Sequence, residues 1–427
     1  MVPRSWVPLA VSGPLLLAVV AGAPPRLCSA ELSVDELVAR AVEGNPDLKV
    51  ARAEVDAAVG RLRQAGLRPN PMLDLGFQKA LGPDNTQTIG LTVPLDLGGR
   101  RQGRVGVAER ELAMKRTQAL DRERRLRAEV RAKAGEYFAA RRSHGVTDEL
   151  LSVNRDALAL VQQRVRQGAA PALDESLMLV EVNRLDASRQ LLASRLEIAV
   201  LQLKALAGMA PDAPLTLRGD LVPAAPRLER DDAVRRALAA RPDLEAARAD
   251  VALTQARVRK EEADGRWDAS INVGYQRQEM GFGLMGLTES GATRPIQDVF
   301  HFFGAGVSIT LPVRNRNQGN VAAARAETEA ASRREEFATL TVRQEVEAAF
   351  TQWEAAGRSL YIYERGVREV ARRNLDVVRK SHELGRLGFL DVIAEQRRYI
   401  EIEQGYTEAL RQLYDAAVEI RRVVNEP

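Results

Sequence analysis

Two glycine–aspartate pairs are the residues of this chain best placed to do chemistry. Asp174 follows Gly168 by six positions, and Asp391 follows Gly385 by the same six. Each glycine suits the left-handed turn that ends a helix. Each aspartate opens the next helix, where a carboxylate caps free N–H groups and offsets the dipole. Other candidates carry less. The three histidines, His144, His301 and His382, are scattered, and the single cysteine is Cys28, so no metal-ligand spacing is present. Gly281-Phe282-Gly283-Leu284-Met285-Gly286 matches a dinucleotide fingerprint in letters, but no strand–helix unit surrounds it. A loop between strands suits it better. Gly98-Gly99-Arg100-Arg101-Gln102-Gly103 lacks the Lys-Ser/Thr of a phosphate loop and suits a passage from strand to helix. No nucleophile–base pair stands out, so neither an enzyme nor a cofactor is expected.

The elements that position these pairs are themselves paired. Asn45-Pro46-Asp47-Leu48 returns as Arg241-Pro242-Asp243-Leu244, and Leu91-Thr92-Val93-Pro94-Leu95 returns as Ile309-Thr310-Leu311-Pro312-Val313. A repeat of roughly two hundred residues is too long for a solenoid unit. It indicates a duplicated, domain-sized unit arranged about an axis. The boundaries read as a signal over 1–30, a first repeat over 31–210, a Pro-rich linker over 211–228 and a second repeat over 229–427.

The signal rests on Arg4, an apolar run from Leu9 to Val20 and small residues at Cys28-Ser29-Ala30 before a cut at Ala30–Glu31. Cys28 either leaves with that segment or carries a lipid; Leu27 before it favours the former. The run is shorter than the about 20 apolar residues a spanning helix needs. Aromatics make up 4% and charged residues 28%, with a net charge of +4. Few large core-fillers suit long paired helices, and arginines interleaved with acids suit a solvated helix face, not nucleic acid.

Ser33 with Glu36 opens a helix over 32–63 by the capping-box rule. Leu73, Leu75 and Phe77 then alternate with Asp74, Gly76 and Gln78 over Met72–Lys79. Ile89, Leu91, Val93 and Leu95 alternate with polar or small residues over Thr88–Leu95. The second repeat gives a helix over 229–264 and two more alternating segments, from Ala269 and from Phe303, around a Gly-rich loop at 281–299. Strand pairs thus occupy about 70–96 and 267–313. Long helical hairpins fill 101–207 and 319–424, with Leu177, Val180, Leu185, Leu192 and Leu196 at coiled-coil steps.

An exported chain with apolar-out, polar-in strands fits an outer-membrane barrel. Open sheet edges are not tolerated in hydrocarbon, and four strands cannot close a water-filled barrel. The chain must therefore pool strands with its own copies, eight from two chains or twelve from three. The fold class expected is mainly α with a membrane β-barrel. The competing reading makes the hairpins coiled-coil spacers of a periplasmic adaptor and the strands part of soluble domains.

The duplicated helix, the strand pairs and the glycine-six-aspartate turns resemble the TolC-type outer-membrane efflux family over nearly the whole mature chain. Gln64-Ala65-Gly66-Leu67-Arg68-Pro69-Asn70-Pro71, Val93-Pro94-Leu95-Asp96-Leu97-Gly98-Gly99-Arg100-Arg101 and Leu311-Pro312-Val313-Arg314-Asn315-Arg316-Asn317 resemble its heavy-metal, cobalt–zinc–cadmium-type branch. The resemblance implies a homotrimer in the outer-membrane lipid, with a twelve-stranded barrel and a helical tunnel reaching into the periplasm. It implies docking through a periplasmic adaptor to an inner-membrane resistance–nodulation–division pump. Metal ions, drugs or polypeptides remain alternative cargoes.

Carried onto this sequence, the resemblance makes Gln167-Gly168-Ala169 and Leu384-Gly385-Arg386 the adaptor-docking tip, although Gln167 stands where the family more often has an apolar residue. It places Asp174 in contacts between protomers that keep the tip shut, with His382 or Arg386 as partners, and Asp391 in an acidic ring that favours cations. Both aspartates keep the plainer reading as helix caps.

Overall fold

The structure, a computed structural model, describes residues 31–426 except 82–83 and 224–225. The expected signal, with Cys28, lies outside the described residues, as does Pro427.

Each repeat opens with two helices where one is expected. Helix α1 (Val34–Gly44) has the predicted capping box, Ser33 Oγ accepting from Glu36 N and Glu36 accepting from Ser33 N. It stops at Asn45, because Pro46 has no N–H and disfavours a helical residue before it. Asn45 takes ψ 123°, and α2 (Pro46–Ala65) starts with proline at its first position. Asn45 Oδ1 caps Leu48 N at 3.0 Å while its Nδ2 donates to Leu206 O at 2.9 Å. In the second repeat α5 (Arg230–Ala240) and α6 (Pro242–Asp264) break the same way at Arg241, ψ 124°.

Strands β1 (Met72–Lys79), β2 (Asn85–Pro94), β3 (Asp268–Leu287) and β4 (Thr293–Thr310) form one antiparallel sheet in chain order. The β2–β3 ladder joins the two repeats. The Gly-rich loop expected at 281–299 is instead strand on both sides of a short turn. The ladder continues to Leu287–Thr293, with a register shift between Gly281 and Met285. Gly283, at φ +67°, lies within this bulge. Glycine-rich composition therefore concealed a pairing that the backbone hydrogen bonds support.

Helix α3 (Arg100–Arg166) runs 67 residues, about 100 Å at 1.5 Å per residue. It pairs with α4 (Ala172–Leu206). The matching hairpin is α7 (Gln318–Ile362), a π turn at Tyr363–Val367, α8 (Arg368–Glu383) and α9 (Phe389–Val423). Alanines such as Ala41, Ala134, Ala237 and Ala349 are fully or nearly fully buried, which lets the helices approach closely. The segment expected as linker packs into this core: Leu217 and Leu221 are buried, and in a parallel bridge Leu32 N donates to Thr216 O while Arg218 N donates to Leu32 O. Among the described residues, no helix is long and apolar enough to cross a membrane.

Candidate channel wall and periplasmic tip

The sheet sorts its residues by face. Its register aligns Leu75, Ile89, Tyr275 and Phe303 in one row, and Leu73, Leu91, Val273 and Ala305 in the next. Leu73, Leu75, Phe77 and Phe303 are each more than 60% exposed in a single chain. The opposite face carries Asp74, Gly90, Gly274 and Gly304 in one row and Met72, Thr92, Asn272 and Gly306 in another. Half-exposed Trp267 precedes β3, and Tyr275 lies 5.1 Å from Phe303 eight residues above it. Aromatic residues at both ends of an apolar band are what the two faces of a bilayer select. Both outer strands, β1 and β4, have a free edge.

Below the sheet, polar clamps fix the passage from strand to helix. Gly98 and Gly99 take φ of +74° and +86°, conformations that side chains other than glycine rarely adopt. Arg104 binds Asp96 at 2.7 Å, Arg100 donates to the carbonyls of Asp264 and Arg266, and Arg101 donates to that of Gly66. The glycine–arginine motif thus serves as a corner, as its sequence suggests. In the second repeat Asn317, at φ +61°, holds the same corner by donating to Glu261 Oε2 at 2.7 Å.

The far ends of the hairpins carry matching turns. Gly168 (φ +71°) donates to Val165 O and Ala169 donates to Arg164 O; Gly385 (φ +70°) donates to His382 O and Arg386 donates to Ser381 O. Both are Schellman motifs. Gln167, Gly168, Ala169, Leu384, Gly385 and Arg386 are all exposed. The two aspartates differ. Asp391 Oδ2 accepts from Gly388 N at 3.0 Å, so it caps its helix. Asp174 occupies the same third position, but its partner would be Pro171, which has no N–H to give. His382 is held in its own turn, with Nδ1 3.0 Å from Leu387 O and its ring 5.6 Å from that of Phe389. Among the described residues of one chain, no ion pair joins Asp174 or Asp391 to His382 or Arg386.

Further up the hairpins lie two buried carboxylates that the sequence reading passed over. Glu181, 1% exposed, receives Arg184 from its own helix at 2.5 Å and Arg397 from α9 at 3.1 Å. Burial pushes its carboxyl up, but the hydrogen bonds from Arg184 and Arg397 outweigh this and hold it below the usual carboxylate range. Glu403, 3% exposed, receives Arg368 from α8 and Arg142 from α3. Those two guanidinium groups lie 4.8 and 5.0 Å from the centre of the Tyr406 ring. An acid among the coiled-coil apolar positions, as Glu181 is between Met178 and Val182, was the available signal.

No group of three or more potential metal ligands occurs among the described residues. A family model described as outer membrane efflux protein matches residues 37–209 and 233–426. The cobalt-zinc-cadmium resistance protein CzcC of Cupriavidus metallidurans is 26% identical over 407 residues, covering 94% of this chain and 91% of that protein. Among solved structures, CusC superposes with a TM-score of 0.74 at 15% identity, covering 99% of this chain and 98% of its own. The outer membrane protein VceC of Vibrio cholerae gives 0.73 at 18% identity, covering 92% of this chain and 95% of its own. Sheet faces, corners and tip thus agree with a family match that spans both repeats. The chain belongs to the outer membrane efflux protein family.

Proposed function

We propose that three copies assemble into the exit duct of a tripartite efflux system, docked by a periplasmic adaptor to an inner-membrane pump. The observation that carries this is a four-stranded sheet with one apolar exposed face and two free edges. Strands β1 and β4 run in opposite directions, so β1 of one copy can pair antiparallel with β4 of the next. Three copies then give a closed twelve-stranded wall with the Asp74 and glycine rows inside. The tip turns at Gly168 and Gly385 meet the adaptor, Asp174 helps to shut the tip, and Asp391 rings the passage and favours cations. The similarity to CzcC over 94% of the chain supports metal cations as cargo. Passage through the duct is passive, with the energy supplied by the inner-membrane pump.

The test is to express the chain in a strain lacking its own metal-efflux duct, with the pump and adaptor genes beside it. A heat-modifiable trimer in the outer membrane and restored zinc, cobalt or cadmium tolerance are expected. A monomer that forms no channel in planar bilayers would remove the duct. A trimer that restores no metal tolerance would remove the cargo.

A further inference from the structure

Strands β3 and β4 outrun their neighbours. The last row shared by all four strands is Lys79, Asn85, Glu279 and Val299. Above it, Met280–Leu287 and 293–298 continue as a two-stranded arm closed by a turn in which Thr288 and Ala292 bond each other. Eight residues of strand carry this arm about 27 Å past the sheet.

The two faces exchange character at its base. Lower down, the even-numbered residues of β3 and β4 are polar or small: Asn272, Gly274, Gln276, Gly304 and Gly306. On that same side Phe302 and Phe300 lie opposite Gln276 and Gln278 in the top rows of the four-stranded sheet, and Met280 (opposite Asp298) and Phe282 follow in the arm. Phe282 lies 6.2 Å from Phe300, and Phe300 lies 6.4 Å from Phe302, ring centre to ring centre. The other side, apolar in the band below, now carries Arg277 paired with Glu279, together with Gln297 and His301, and keeps one apolar residue, Val299. The side that faced lipid turns polar where lipid ends, and the side that faced the lumen turns aromatic. Phe282 and Phe302 remain 46% and 49% exposed. A two-stranded ribbon is marginal in water unless its apolar face is covered. The base of the arm is pinned by Asp84 Oδ1, which accepts from Gly281 N at 2.8 Å where the bulge begins.

We propose that this aromatic face is covered by the same face of the other two copies, so that three arms meet over the outer mouth and form an apolar constriction. The proposal rests on the trimer proposed above. The arms continue the strands that would build the shared wall, which puts their lumen-side faces around one axis. A ring of phenylalanines there narrows the passage and resists wetting, as hydrophobic gates do. The duct would then have an outer restriction separate from its periplasmic tip.

Phe282→Cys and Met280→Cys, each in a Cys28→Ser background, are treated with copper-phenanthroline in outer-membrane fractions. Covalent dimers within the trimer are expected, whereas Arg277→Cys on the opposite side stays uncoupled. Replacing Phe282, Phe300 and Phe302 together by Ser raises single-channel conductance about two-fold and admits bulky antibiotics to the cell. A trimer that neither couples at these positions nor changes conductance would overturn the cap and leave the duct standing. A monomer would overturn the trimer and the cap together.

Discussion

The two repeats solve the same geometry with different chemistry. At the break between its first two helices the first repeat uses Asn45, a neutral amide bonded to Leu48 N and Leu206 O. The second uses Arg241, whose side chain is 1% exposed and paired with Asp243 and Glu345. The long hairpins differ more. Helix α3 is uninterrupted over 67 residues, whereas its counterpart is jointed by the π turn between α7 and α8. Gly405 faces this joint so closely that a Cβ there would lie 2.5 Å from Tyr363 Oη. The two hairpins thus differ in build: the first outer helix is continuous, and the second carries a π joint. π turns recur where helices must bend or work.

The largest expected effect comes from exchanging nothing but the buried charge at the helix breaks. Arg241→Ala removes a buried guanidinium shared by Asp243 and Glu345, which keep Arg124 at 3.4 Å and Arg422 at 3.2 Å, and should cost about 3 kcal/mol, the low end for a broken buried pair. Asn45→Ala at the equivalent position removes a neutral cap and should cost about 1 kcal/mol. Thermal dissociation of the oligomer, followed on gels, measures both; equal losses would erase the distinction drawn between the repeats. Deleting Gly366 from the π turn should convert the jointed helix to a continuous one. We expect intact assemblies that no longer export, and normal export would show that the joint is idle.

The tip aspartates should separate next. Asp391→Ala loses a cap worth about 0.5–1 kcal/mol, and it should also weaken cation preference in bilayer recordings if the ring exists. Asp174→Ala loses no backbone bond, so stability should hold while any change in gating shows directly. The smallest effect concerns Asp415 on α9. Burial pushes its carboxyl up to about 6, with Arg411 opposing and Glu136 and Glu408 adding to the rise, while Lys133 draws it back slightly. Between pH 4 and 6 the folded chain keeps a proton that the unfolded chain has lost, so stability falls as pH rises through that window. Asp415→Asn should therefore raise the melting midpoint by a few degrees at pH 7.5 and leave it unchanged at pH 4.

Alternation made the strands legible, because a sheet between lipid and water must repeat every second residue. Leu73, Leu75 and Phe77 needed no further context. The same rule failed from Gly281 onward, where a bulge shifts the register and glycines leave the pattern without side chains to read. Asn45-Pro46 and Arg241-Pro242 are visible as a repeat, yet the apolar period runs on through them and masks the helix break that each proline imposes. The π turn had no sequence mark beyond Gly366, and the glycine packed against it, Gly405, lies in another helix. Glu181 and Glu403 are legible only once their arginines are seen arriving from neighbouring helices. For the tip the sequence supplied residue types, and the difference between Pro171 and Gly388 supplied the reason that one aspartate is tied and the other free.

The clamped corners between sheet and helices have a mechanical consequence. Arg100, Arg104 and Asn317 each reach across from one element to the backbone or carboxylate of another. A sideways force at the free end of a helix about 100 Å long acts on its root with that whole length as its arm. Rigid bracing at that root turns the membrane segment into a fixed bearing. Bending under such a load is therefore expected along the helices before it reaches the strand ladders.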